Sequence, residues 1–290
     1  MRISRVIMSA AALCGFAGAA HAEDGAWTLH GFGDVSVKND YVTPRGVVVT
    51  TKGAMVHLVD GLSATSPGGV TVFATTFVAL NPGYGDGNKE VFNEFDWSAG
   101  VRVPLAKRVT GSVEYMHWIF PNGFPHDQHN LEFTVSYADE PSGKISINPY
   151  AKLFLAVSSK SSTVVFGKPQ GTGYIQLGAT PTYKDAAFTL TAPTWISVGP
   201  KSFWVDDAKL ATVTSLVPGG HRSNLGVFST GLRASTPLTF LKGPAGISLY
   251  GFGQWYHLFN DGLVAGKIVL NSGDHKRDQF VFGAGLSLGF

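Results

Sequence analysis

The sequence predicts an all-β chain: a transmembrane antiparallel up-and-down β-barrel of about twelve strands, with both termini on the periplasmic side. Three observations predict it. The last thirteen residues, Asp278 to Phe290, alternate with period two and end on an apolar Phe. The first 22 residues have the layout of an export signal. Between them, segments of 11–15 residues alternate apolar and polar positions, only 14% of residues are charged, and no amphipathic helix is evident.

In the terminal segment Phe280, Phe282, Ala284, Leu286, Leu288 and Phe290 share one strand face. Gln279, Gly283, Gly285, Ser287 and Gly289 share the other, and Val281 is the one apolar misfit there. An exposed apolar terminal strand is an aggregation hazard in a soluble sandwich. A terminal strand that ends in Phe instead resembles the assembly signal of bacterial outer-membrane β-barrels, which implies that Phe290, Leu288 and Phe282 are presented to the barrel assembly machinery.

At the start, Arg2 and Arg5 precede an apolar run from Val6 to Ala19, and Ala20-His21-Ala22 is a small-x-small cleavage site. The run is shorter than the roughly 20 residues of a membrane span. Residues 1–22 are therefore expected to be a cleaved Sec-type signal, and 23–290 a single barrel domain. Cys14, the only cysteine, lies in the signal, which leaves the domain without disulfide or thiol chemistry. Loss of Arg2 and Arg5 from a formal net charge of +2 leaves the domain formally neutral. Nucleic acid is thus not an expected partner. Outer-membrane lipid is, and the outer membrane is the expected location.

The strands are expected near 27–38, 46–60, 69–80, 90–103, 107–119, 128–138, 144–157, 171–183, 186–199, 222–235, 245–259 and 278–290. In the first, Trp27, Leu29, Gly31, Gly33, Val35 and Val37 alternate with Thr28, His30, Phe32, Asp34, Ser36 and Lys38. The fourth sets Val91, Phe95, Trp97, Ala99, Val101 and Val103 against Glu94, Asp96, Ser98 and Arg102. The connections then alternate between short turns (61–68, 104–106, 139–143, 184–185, 236–244) and longer loops (39–45, 81–89, 120–127, 158–170, 200–221, 260–276). Short periplasmic turns and long external loops are the layout of outer-membrane barrels. The stretches 158–175 and 200–221 leave a count of about ten or fourteen strands open.

In such a barrel the apolar faces meet lipid and the polar faces line the interior. The residues that then line a pore are Glu94, Asp96, Arg102, Glu114, Glu132 and Lys152, with Tyr150, Tyr250 and Gln254. The acidic group on neighbouring strands reads either as a selectivity constriction or as an internal salt-bridge network. Roughly eight strands leave a filled interior and roughly sixteen an aqueous channel, so about twelve fit a narrow pore. A pore plugged by the loop 200–221, with Lys201, Trp204, Asp206, Asp207, Lys209 and His221, fits equally well.

The stretch Asn39-Asp40-Tyr41-Val42-Thr43-Pro44-Arg45-Gly46 resembles the Ser-Asp-Tyr-x-x-Arg-Gly opening of the TorF-type porin family, with Asn for Ser and one extra residue before Arg45. The order that follows is similar: Glu94-Phe95-Asp96, then Tyr115 to Pro121, then Leu131-Glu132-Phe133. The likeness covers about the first half of the domain and the terminal Phe. It implies an outer-membrane channel for passive or selective diffusion of small hydrophilic solutes, with no catalytic residues.

Two alternatives remain: a lipid-modifying hydrolase of the outer membrane and a plugged structural or adhesive barrel. A hydrolase of this kind uses a Ser–His pair at the lipid-facing rim. His57, His117 and His257 have no Ser two residues away on the same strand face. No HExxH zinc motif or phosphate loop is present, and no cofactor or metal is expected. The group His126-Asp127-Gln128-His129 has metal-like spacing but falls in a solvated loop.

Overall fold

The computed structural model describes residues 26–290 except 52, 82–91, 122–126, 140–142, 160–161, 221, 242–245 and 272. The signal segment 1–22, Glu90, Val91, His126 and His221 lie outside the described residues.

The strands are β1 (Thr28–Lys38), β2 (Tyr41–Val42), β3 (Val48–Thr50), β4 (Met55–Thr65), β5 (Thr71–Leu80), β6 (Phe92–Ala106), β7 (Val109–Ile119), β8 (Gln128–Tyr137), β9 (Ile145–Ser146), β10 (Pro149–Ser159), β11 (Thr172–Ala179), β12 (Thr182–Lys184), β13 (Thr189–Thr191), β14 (Thr194–Val198), β15 (Leu225–Pro237), β16 (Gly246–Leu258) and β17 (Asp278–Gly289). All but β2 and β3 join one antiparallel sheet, closed by β1 against β17 and by β14 against β15. The pairs β9/β10, β11/β12 and β13/β14 are each one stave with a break, giving a closed barrel of 12 strands. The breaks have local causes. Asn148 adopts a left-handed φ of 51°, and Pro181 and Pro193 have no N–H to give the ladder.

Outward positions carry the apolar set: Val35 on β1, Leu62 on β4, Val101 on β6, Phe133 on β8, Leu177 on β11, Leu249 on β16 and Phe282 on β17 are all exposed. Phe282 is 62% exposed, whereas its neighbour Val281, facing inward, is 4% exposed. Among the described residues the outward face has one acidic position in mid-strand. Asp60 pairs with Gly33 and Thr76, in the same outward rows as Val35 and Leu58.

The start of β1 and the end of β17 lie at one end, where Phe290 exchanges two backbone hydrogen bonds of 3.0 Å with Gly31. The turns at that end are short and the loops at the other are long. The second strand departs from expectation. It was expected over 46–60, but the wall strand is β4 (Met55–Thr65), so the first long loop is 39–54 rather than 39–45 and the next turn starts at 66. Residues 41–50 instead form the separate hairpin β2–β3. Gly46, at φ 82°, allows the tight turn in which its N–H bonds Thr43 O at 2.9 Å, and Gly53, at φ 76°, turns the chain again before the wall. Period-two alternation is the same in a lumen hairpin and a wall strand, so the sequence pattern runs across both.

The long loops also contain helices that periodicity did not reveal. They are α1 (Lys201–Trp204), a 3₁₀ turn at Asp207–Lys209, α2 (Leu210–Leu216) and α3 (Asp261–Leu270). The Asn260 side chain caps α3 by accepting from Gly262 N at 2.9 Å. Residues 261–267 of α3 are all buried, so no polar stripe marks this helix.

These loops fold into the loop end of the barrel. Val48, Val164, Phe203, Trp204, Val205, Val213, Leu263 and Val264 pack with the inward wall residues Phe154, Tyr174, Val227, Leu258 and Val281 in one buried cluster. Val281 is apolar because it meets this cluster. Side chains from two loops tie them to their neighbours. Lys209 Nζ donates to Ser162 Oγ, Val165 O and Gly167 O at 3.1–3.3 Å. Asn271 donates to Val48 O at 2.8 Å and accepts from Thr51 N at 2.9 Å.

Candidate functional site

The candidate site is the polar lumen between the loop cluster and the terminus end. Its shape follows from β17, whose inward positions beyond Val281 are Gly283, Gly285, Ser287 and Gly289. With almost no side chains there, rings from β16 lie flat on the wall. A Cβ at Gly285 would fall 2.5 Å from Tyr250 Oη, and one at Gly283 2.9 Å from the Phe252 ring. The space left in front is a cavity of about 490 Å³, bordered by Asp34, Ser36, Lys38, Arg233, Tyr250 and Gln254 among others. Tyr250 Oη donates to Asp34 at 2.6 Å, and Gln254 Nε2 donates to Ser229 Oγ at 2.5 Å.

The opposite wall, β6 to β10, holds the acidic group. Glu114 and Glu132 are direct cross-strand partners. Like charges in that relation repel, and Lys152 Nζ offsets the repulsion with an ion pair to Glu132 at 2.7 Å. Thr134 also donates to Glu132 at 3.2 Å. Tyr150 accepts from Gln176 Nε2 at 2.9 Å, and the Arg102 guanidinium lies 5.6 Å from the Phe73 ring. Asp96 and Glu114 border a smaller cavity of about 140 Å³ with Ser98 and Thr75.

All nine residues expected to line a pore face inward, but they are not equivalent. Glu94 is buried beneath the β2–β3 hairpin and accepts from Tyr41 Oη at 2.9 Å. Arg45 descends from the same hairpin and sits 3.8 Å from the Trp118 ring and 4.3 Å from the Phe154 ring. The acidic pair Glu94 and Asp96 therefore sits under the hairpin, and Tyr250 and Gln254 sit at the larger cavity. Reading by residue missed Asp34, Lys38 and Arg233. The first two already stood on the polar face of the first strand, and counting charges on the glycine-rich side would have found them.

Aromatic residues cluster on the outward face at both ends. At the terminus end Trp27, Tyr137, Phe188 and Phe240 are exposed. At the loop end Trp97 donates to His117 Nδ1 at 3.2 Å, and Tyr115 Oη lies 2.6 Å from His129 Nδ1. Across the barrel, Trp255 Nε1 and the His257 ring lie 3.0 and 2.9 Å from Asp278 Oδ1. Among the described residues, none of these histidines bonds a serine hydroxyl.

No family model matches the chain. No curated protein matches it. Among solved structures it is similar to a NanC porin structure in a rhombohedral crystal form, at 9% identity over 88% of this chain and 98% of that one, with a TM-score of 0.48. It is also similar to a bacterial polysaccharide outer membrane secretin, at 10% identity over 90% and 97% of the two chains, with a TM-score of 0.46. A third likeness is to the outer membrane channel DcaP of Acinetobacter baumannii, at 12% identity over 93% and 99%, with a TM-score of 0.40. At such values these likenesses say nothing of what this chain binds or conducts. The resemblance to TorF-type porins rests on its quoted residues alone.

Proposed function

We propose that this chain is an outer-membrane channel of the porin type that passes small hydrophilic solutes. The observation that carries the proposal is the charged cavity of about 490 Å³ inside a closed barrel whose outward face is apolar. A closed barrel has no unpaired edge, so its outward backbone can enter hydrocarbon. Aromatic residues at both ends suit the two interfaces of a bilayer. The short turns and both termini then face the periplasm, after removal of residues 1–22. Phe290, Leu288 and Phe282 present an outward apolar terminal strand to the assembly machinery. A buried cluster occupies the loop end, so passage through it requires the hairpin β2–β3 or its neighbouring loops to move.

A second reading, a sealed barrel with no transport role, is favoured by the buried loop cluster. Recording from the purified, folded barrel in a planar bilayer decides between them. Discrete current steps support the channel; a stably inserted barrel with no steps supports the sealed form.

A further inference from the structure

The glycine wall of β17 does more than leave space. Each ring lying on it carries a cation. The Arg233 guanidinium is 3.5 Å from the Tyr250 ring centroid, and Lys38 Nζ is 5.7 Å from that of Phe252. Arg233, Phe252, Gly283 and Lys38 are successive cross-strand partners on β15, β16, β17 and β1. The two cations therefore flank one row of the wall, with an aromatic floor between them and the cavity in front.

One carboxylate faces the two cations. Among the described residues Asp34 is the only carboxylate bordering the cavity, and it already accepts from Tyr250. Its other oxygen stands 3.5 Å from Arg233 Nη2, a long contact that orients the guanidinium without using its remaining donors. Among the described residues the Lys38 ammonium makes no side-chain hydrogen bond and no close ion pair, though Asp34 acts on it through space. Rings hold both cations, and the one ion pair an incoming anion meets is the long Arg233–Asp34 contact of 3.5 Å.

We infer that this shelf is a binding site for a small organic carboxylate, an assignment that rests on reading the barrel as a channel and names the class of solute its lumen takes. The planar fork of Arg233 matches a carboxylate in two-point contact, and Lys38 adds a point charge. Phe252 and Tyr250 offer an apolar surface to the organic body. A divalent cation would find one carboxylate already engaged, and a neutral solute would leave both cations unanswered. The cavity volume lies in the usual range for small-molecule sites.

The test is calorimetric titration of the folded barrel in detergent with benzoate, with gluconate, and with inorganic phosphate as comparator. The expected result is saturable binding of an organic carboxylate, weakened about tenfold in Arg233→Gln and in Lys38→Gln. Arg233→Lys, which keeps the charge and loses the fork, is expected to weaken it less. Retained heat-modifiable mobility in electrophoresis shows that each variant is folded. No carboxylate binding by the unaltered barrel overturns the inference, as does undiminished binding by both folded Gln variants, or phosphate binding tighter than either carboxylate. Carboxylate binding without bilayer current supports the site and removes the channel. Current steps without carboxylate binding leave the channel and remove the site.

Discussion

The guanidinium of Arg45, carried on an inserted hairpin, stacks 3.8 Å from the ring of Trp118 on the barrel wall. Phe154, stacked beside Trp118, lies 4.3 Å from the same guanidinium, and Tyr41 on the same hairpin bonds Glu94. The first loop is thus pinned to the wall at two points, one aromatic and one acidic.

If these pins hold the loop end shut, Arg45→Ala frees the hairpin. A desolvated cation–π contact contributes about 2 kcal/mol. The variant is expected to unfold at lower denaturant by roughly that amount and to pass larger or more frequent current steps than the unaltered barrel. Unchanged stability with unchanged current would remove the latch.

Asp60 is an outward carboxylate in mid-strand, opposite Gly33 and Thr76. Charge at that depth on a lipid face is unfavourable, less so for Asp than for Lys or Arg. Asp60→Val is expected to stabilise the lipid-embedded barrel by about 1 kcal/mol, measured by urea unfolding in bilayers. Destabilisation instead would place this stretch of wall against something other than lipid.

Gly285 gives Tyr250 room to lie on the wall, since a Cβ there would be 2.4 Å from Val35 O and 2.5 Å from Tyr250 Oη. Gly285→Val should displace the ring, break the Tyr250–Asp34 bond and overpack the site at a loss of about 1–3 kcal/mol. The check is the unfolding midpoint of the folded variant. A midpoint equal to that of the unaltered barrel would show that the ring has another place to go.

The strands were legible because a wall that separates apolar from polar repeats every two residues, and β6 (Phe92–Ala106), for instance, lies close to the span 90–103. What lies inside the barrel was less legible. The hairpin shares the period of the wall, and α3 is buried all round and so lacks the stripe that betrays a surface helix. The inward charges of β6 to β8 stood out because they cluster in sequence. Asp34, Lys38 and Arg233 meet only through the pairing of β15, β16, β17 and β1, which joins the two ends of the chain. Val281 looked like a flaw in a pattern and is a contact with the loop cluster.

The loop bearing α3 is expected to respond to acid. The fully buried Lys267 ammonium pairs with Asp274 at 2.9 Å and donates to Lys276 O at 3.0 Å. Burial acts to raise the Asp274 carboxyl, but Lys267 and the Lys276 N–H outweigh it and hold its pKa below the ordinary 3.8. A depressed pKa means stability present above the unfolded value and lost as pH falls through the folded one. Hydrogen-exchange protection of 261–270 should therefore persist down to about pH 4 and decline below it. Asp274→Asn should lower that protection already at neutral pH; equal protection in the two proteins would show that the pair does not hold the helix.

The most direct test of the account is which tryptophans touch lipid. By register and burial Trp97 and Trp255 face outward, whereas Trp118 and Trp204 are buried inside the barrel. Two variants, each keeping one of these pairs and replacing the other tryptophans by Phe, can be folded into bilayers of brominated lipid. Strong quenching of the Trp97/Trp255 protein and little quenching of the Trp118/Trp204 protein is the predicted result. Equal quenching of both, or failure of either protein to enter the bilayer while folded, would contradict a barrel whose apolar side meets acyl chains.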